Sequence, residues 1–127
     1  MRNITTALLI AVTVTICAQA QTQTKPYTET KILETPHYRI TITQVCEEYV
    51  IGCNHVLYHG VSRKSGSTVD LKGEQEMSMC ADGKTPCHLI GWRFKKDVTE
   101  YFVSDSGVLL VSQGKKELMR EAGKWKE

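Results

Sequence analysis

The chain has 127 residues, and its 16 basic and 14 acidic side chains nearly cancel. Such a balance produces no general field that would attract nucleic acid or an anionic membrane surface, so neither is expected as a partner. The length suits one folded domain.

Residues 1–20 have the three parts of a secretory signal peptide. Arg2 supplies a positive charge, residues 7–16 form an apolar stretch too short to span a bilayer, and Ala18-Gln19-Ala20 is an A-x-A cleavage site. Cys17 is expected to be discarded with this segment, because Ile16 before it is too large for a lipoprotein cleavage site. Cleavage near Ala20 predicts a periplasmic or secreted protein without a membrane span in the mature chain.

Residues 21–36 are polar, contain Pro26 and Pro36, and are predicted to form a flexible leader. A single β domain is predicted over residues 37–127. Its first strand is indicated by Tyr38, Ile40 and Ile42, which alternate with polar residues.

Further strands follow at short intervals. Residues 54–61 form the second, with Val56 and Tyr58 on one face, and Val69 and Leu71 mark the third after a Ser65-Gly66 turn. The most apolar strand is predicted over residues 89–94, and its inward face is assigned to Ile90, Trp92 and Phe94. Two more are predicted over residues 101–103 and 108–111.

The segment after Gly114 fits two structures. Leu118, Ala122 and Trp125 have helical spacing, whereas Gln113-Gly114 resembles a hairpin turn that leads into a seventh strand. Gly123 costs a helix about 1 kcal/mol relative to alanine. The strand is favoured because the preceding segments follow one another as a meander. The predicted fold is therefore mainly β, an antiparallel meander of six to seven strands in a small sandwich or barrel, with a C-terminal helix as the alternative for this segment.

Four cysteines remain after signal removal, in two Cys-x6-Cys spacings. In an oxidising compartment they predict disulfides, and three pairings are open. The local pairing Cys46–Cys53 and Cys80–Cys87 is favoured because each intervening stretch has turn character, and each bond contributes roughly 2.5 kcal/mol. A zinc site is disfavoured, since paired zinc ligands are usually separated by two to four residues.

The sequence has no G-x-S-x-G, H-E-x-x-H, phosphate-binding glycine loop or EF-hand loop. No catalytic residue, metal site or cofactor is therefore assigned, although a small hydrolase that uses histidine with glutamate or arginine stays an alternative. His55 or His59 would be its base, with Glu47 or Glu48 as the carboxylate partner. A copper-handling protein is a further alternative, because Met77, Met79 and His88 include the soft ligands that Cu(I) prefers. Methionines that fill core gaps are the simpler interpretation.

Five short segments, spread over most of the mature chain, are the basis of a comparison with a class of known proteins. They are Val56-Leu57-Tyr58-His59-Gly60, Leu71-Lys72-Gly73, Pro86-Cys87, Gly91-Trp92-Arg93-Phe94 and Glu121-Ala122-Gly123-Lys124-Trp125. With these segments the chain resembles small exported, disulfide-bonded β-domain proteins of Gram-negative bacteria. Some exported bacterial proteins of this size inhibit cell-wall hydrolases or confer immunity to toxins. By analogy at the level of fold, the resemblance implies a binding or inhibitory module that acts on another protein through a preformed surface.

Two residues are predicted to contact that partner. Tyr49 lies inside the first disulfide loop, and Arg93 faces away from the Trp92 side of its strand, where its planar guanidinium is suited to a carboxylate. A ligand groove lined by aromatic side chains is a further hypothesis, and most of these side chains are expected to pack in the core: Tyr49, Tyr58, Trp92, Tyr101 and Trp125.

Overall fold

A computed structural model describes residues 10–18, 26–47, 53 and 55–127. Residues 10–18 are exposed and form neither helix nor strand, so the signal peptide stays a prediction. Over the described ranges, no helix has the length and apolar character needed to cross a membrane.

The described residues form one antiparallel sheet of nine strands. In sheet order, consecutive strands are neighbours from β8 back to β1, and β9 lies on the other side of β1. The strands are β1 (Tyr27–Glu34), β2 (Tyr38–Cys46), β3 (His55–Ser62), β4 (Thr68–Met79), β5 (Pro86–Lys96), β6 (Thr99–Ser104), β7 (Val108–Gln113), β8 (Lys116–Ala122) and β9 (Lys124–Trp125).

The sheet curls into a nearly closed barrel because β8 and β9 are separated by only one residue. Gly123 lies between β8, which pairs with β7, and β9, which pairs with β1. Its N–H donates to the Gly107 carbonyl at 2.8 Å. A side chain at this position would collide with the Glu34 carbonyl oxygen and with Thr35. Glycine is therefore required for the two edges to meet.

Alternating residues of the strands fill the barrel interior. The predicted inward faces of β2 and β3 are confirmed, because Ile40, Ile42, Val56 and Tyr58 are all buried. The buried core is completed by side chains from five further strands: Leu33, Leu71, Trp92, Phe94, Val103, Leu109 and Val111. Burial of these apolar surfaces is the main source of stability in a domain of this size.

The predicted meander is correct, but it has more strands than expected, and the described residues contain no helix. The segment after Gly114 forms β8, which confirms the favoured strand and excludes the C-terminal helix. The two extra strands are β9 and β1, and β1 lies within the expected flexible leader over residues 21–36.

Strand β1 moves the start of the folded domain to Tyr27 rather than His37. It pairs with β2 along its full length, from Tyr27 opposite Cys46 to Glu34 opposite Arg39. Leu33 is fully buried, so a single well-placed apolar side chain and backbone pairing order a segment that is otherwise polar.

The predicted inward face of β5 needs one correction. Trp92 and Phe94 are buried, but Ile90 is 39% exposed. The pairing of β4 with β5 shifts by one residue between Glu76 and Met77. Such a bulge changes the phase of alternation, since two residues of one strand face one residue of the other. Leu89 packs against the core in place of Ile90.

Both local disulfides are present. Cys46 bonds to Cys53, and Cys80 bonds to Cys87. Two disulfides in a small domain indicate an oxidising environment outside the cytosol.

Candidate functional site

Arg93 lies on the outer face of the barrel, as predicted, but its guanidinium already has partners. Its Nε donates to Glu76 at 2.8 Å, and its Nη1 donates to Glu100 at 2.5 Å. The guanidinium also lies 4.9 Å from the centre of the Phe102 ring. A partner's carboxylate would have to displace one of these two glutamates, so the Arg93 guanidinium is not free to bind it.

Tyr49 lies outside the described residues, but the anchoring of its disulfide loop is visible. The Cys53 N–H donates to the side-chain oxygen of Gln75 at 2.9 Å. The Gln75 amide donates to Gln44 Oε1, which also accepts the Trp92 indole N–H at 2.9 Å. This chain of hydrogen bonds connects the loop to the buried core, and the polar residues in it carried no signal in the sequence.

The histidines are dispersed over the surface rather than gathered in one site. His59 Nδ1 is 2.6 Å from an Asp70 carboxylate oxygen, and His37 Nδ1 is 3.1 Å from Glu121. Among the described residues, no group of three His, Cys, Asp or Glu side chains is placed to hold a metal. Of the expected catalytic partners, Glu47 forms no hydrogen bond or ion pair with a described histidine of β3, and Glu48 is not described.

The methionines and His88 do not converge as a copper site would require. His88 pairs with Ser78, and His88 Nδ1 is 2.6 Å from the Ser78 hydroxyl. Neighbouring residues of a strand point to opposite faces, so Met77 points away from the side that His88 occupies. Met79 is more than half exposed.

A preformed cavity of about 420 Å³ lies at one end of the barrel. We call it the tyrosine cavity, because tyrosines from β2, β3 and β6 surround it. Its walls are formed by Tyr38, Tyr58, Gly60, Ser62, Ser65, Ser67, Val69, Tyr101, Leu109, Val111 and Met119. Its volume lies in the range of ligand pockets, about 300–1,000 Å³.

Tyr58 is the most deeply buried of the three tyrosines, with 3% of its surface exposed. Its ring centre lies 5.2 Å from that of Phe94 and 5.7 Å from that of Tyr101, in tilted arrangements that aromatic pairs favour. The ring covers Gly60, where any side chain would approach the Tyr58 hydroxyl to 2.8 Å. Glycine at this position thus keeps both the ring and the cavity in place.

The opening of the tyrosine cavity lies beside the turn between β3 and β4. Ser65 Oγ donates to Ser67 Oγ at 2.9 Å, and the Ser67 N–H donates back to Ser65 Oγ at 3.2 Å. Apolar side chains of β7 and β8, including Val111 and Met119, also line the cavity. The cavity therefore combines an apolar wall, aromatic rings and a rim of hydroxyl groups.

Sequence reasoning identified part of this site. Tyr58 and Tyr101 were among the aromatic residues of the hypothetical groove, whereas Trp92 is fully buried in the core. Tyr38 and the serines of the turn were missed as site residues. The one local signal for the cavity was the Tyr58-x-Gly60 spacing, since it places a ring and a glycine on the same strand face.

The comparisons with known proteins return no match: no family model, no curated protein and no solved structure is similar to this chain. The candidate site therefore rests on its geometry.

Proposed function

We propose that this protein is a small exported binding module, periplasmic or secreted, whose preformed surface is the tyrosine cavity and its rim. The observation that carries the proposal is the convergence of Tyr38, Tyr58 and Tyr101 around a cavity of ligand size. Tyrosine supplies a large contact area with little loss of conformational freedom, which is why it is enriched at binding sites.

The chemistry of the walls favours binding over catalysis. The residues that line the cavity include no His, Asp, Glu, Lys, Arg or Cys. The serine hydroxyls of the rim therefore have no base beside them to make them nucleophilic. A site with apolar walls and a few hydroxyl groups can hold and orient a ligand, but it has no group to transfer a proton at neutral pH.

The scaffold also suits recognition without rearrangement. The closure at Gly123 and the packing of Tyr58 over Gly60 fix the walls of the cavity in place. A site that is ordered before binding loses less entropy when its partner arrives. An inhibitory or immunity role would use the same property, with a side chain of the target protein inserted into the cavity.

Blocking the opening tests the proposal. Tagged wild-type protein and the variant Ser67→Trp are used to capture partners from a periplasmic extract, with Ser106→Trp as the matched control. Ser67 lies on the rim, while Ser106 is an exposed serine in the turn between β6 and β7. We expect a partner retained by wild type and by Ser106→Trp to be lost from Ser67→Trp. Equal capture by Ser67→Trp and wild type would reject the cavity as the binding surface.

The contacts predicted at Tyr49 and Arg93 remain secondary proposals. Arg93 is held by two carboxylates, so its contribution to a complex requires an exchange of ion pairs. In the capture experiment, Arg93→Ala should weaken a complex less than Ser67→Trp does.

The hydrolase alternative rests on one observation, the short contact between His59 and Asp70. A carboxylate can orient a histidine for general base catalysis. Both side chains are about half exposed or more, and neither lines a described cavity, so nothing nearby would position a substrate. Turnover of a cell-wall or nucleic-acid substrate that His59→Ala abolishes would replace the binding proposal.

A further inference from the structure

The tyrosine cavity has no charged wall, and this restricts what can enter it. Its lining consists of tyrosines, serines, a glycine and four apolar side chains. Glu121 accepts from the His37 N–H at 2.7 Å, Arg63 lies 3.9 Å from Glu34, and neither side chain lines the cavity. A charged ligand would lose its hydration without gaining an opposite charge, which is strongly unfavourable.

One polar group inside the cavity is placed to recognise an oxygen atom. The hydroxyl of Tyr58 lies over Gly60 at the cavity wall. No other described side chain is hydrogen bonded to it, and it is not sealed from the cavity, since no fully buried side-chain oxygen is left without a partner. Burial, followed by the neighbouring Tyr101 and Tyr38, raises the pKa of Tyr58. The hydroxyl therefore stays protonated and can donate a hydrogen bond.

The remaining walls require an apolar body. Val69, Leu109, Val111 and Met119 line the cavity together with the rings. Flat or compact hydrocarbon groups make the best contacts with tyrosine faces and with a methionine thioether. At about 420 Å³ the cavity has room for a ring system of one or two rings with a short polar substituent.

We infer that the tyrosine cavity binds an uncharged compound or group, with an apolar ring and an alcohol, ether or carbonyl oxygen that accepts a hydrogen bond from Tyr58. This inference rests on the proposed function and specifies its ligand. The ring lies between the tyrosines and the wall formed by β7 and β8, and any second polar group of the ligand meets the serine rim.

Three probes of equal shape and different charge test the inference. Naphthylmethanol, naphthoate and naphthylmethylammonium of the same positional isomer are titrated into the purified protein near neutral pH, and binding is followed by NMR chemical shifts. We expect saturable binding of the alcohol with shifts confined to the cavity residues, and at least tenfold weaker binding of both ions. An ion that binds as tightly as the alcohol, or an alcohol that does not bind, would overturn the inference.

Two variants show whether the hydrogen bond has been assigned correctly. Tyr58→Phe removes only the hydroxyl and should weaken binding of the alcohol about three- to tenfold, the effect of one net hydrogen bond. Tyr27→Phe is the matched control, because Tyr27 is exposed on β1, and it should bind as wild type does. Unchanged affinity in Tyr58→Phe would show that this hydroxyl does not contact the ligand.

The outcomes also show which hypothesis fails, the one on the ligand's chemistry or the one on the binding function. If the probes fail but Ser67→Trp still loses its captured partner, the cavity is the binding surface and the ligand chemistry is wrong. If Ser67→Trp changes neither probe binding nor capture, the proposed function itself is wrong.

Discussion

The two ends of the barrel interior are filled in opposite ways. Tyr38 and Gln44 are inward residues of the same strand, six positions or about 20 Å apart. Around Gln44 the interior is closed by hydrogen bonds and by the edge-to-face indoles of Trp92 and Trp125, whose ring centres are 5.5 Å apart. Around Tyr38 the same barrel leaves a cavity.

The two ends differ in whether their polar side chains have hydrogen-bond partners within the protein. At the first end, which we call the tryptophan end, Gln44 Oε1 accepts from both Trp92 and Gln75. Even the ammonium of Lys31 is placed there, 5.4 Å from the centre of the Trp92 ring, where a cation is attracted to the π face. At the tyrosine end, the Tyr58 hydroxyl has no described partner. The hydrogen bonds of the tryptophan end stabilise the fold, whereas the Tyr58 hydroxyl at the tyrosine end can donate to a ligand.

The largest expected effect is at the tryptophan end. Trp92→Ala should lower the free energy of unfolding by about 3–5 kcal/mol, because it removes a fully buried ring and leaves a cavity. Chemical denaturation followed by circular dichroism measures the change. A loss below about 1 kcal/mol would show that the indole is not part of the packed core.

Much of the fold was predictable because its signals are local. The alternation around Ile40 and Ile42 and the turn residues of the meander predict the strands directly, and short spacing favours the observed cysteine pairing. Strand β1 was missed because its order comes from pairing with β2 and from Leu33, not from its composition. The exposure of Ile90 was missed because a bulge is a property of two strands together.

The candidate site was less predictable, since it depends on closure. Tyr38, Tyr58 and Tyr101 are far apart in the sequence and meet only after the sheet curls and β9, which follows β8 through Gly123, pairs with β1. The partners of Arg93 were also beyond prediction from local pattern, because they come from β4 and β6 on either side of it.

The second prediction concerns the buried amide at the tryptophan end. Gln44→Leu should destabilise the fold by about 1–3 kcal/mol, since the Trp92 indole N–H and the Gln75 amide would lose their shared acceptor. Gln113→Leu is the control, because Gln113 is exposed and donates only to Thr99, and its effect should stay within about 0.5 kcal/mol. Equal effects of the two changes would mean that the amide network contributes little.

The third prediction uses pH at the tyrosine end. Burial of Glu121 opposes ionisation, but the His37 backbone N–H, the Thr35 hydroxyl and the His37 ring outweigh it and lower the pKa of Glu121 below 4.5. Because the folded pKa is the lower one, the ionised carboxylate contributes stability above pH 4.5, and this is lost as the pH falls through the folded pKa. Melting temperatures across this range should therefore fall more steeply for wild type than for Glu121→Gln. Parallel curves would rule out Glu121 as a contributor to acid sensitivity.

The smallest effect is expected from Tyr58→Phe, and it distinguishes the two ends most sharply. At the tryptophan end, loss of one polar group leaves its partners unsatisfied. At the tyrosine end, the hydroxyl has no described partner to lose, while the ring contacts with Phe94 and Tyr101 are unchanged. The free energy of unfolding without ligand should thus change by less than about 0.5 kcal/mol. Denaturation of the ligand-free variant beside wild type measures this, and a loss of 1 kcal/mol or more would place Tyr58 in the same structural class as Gln44.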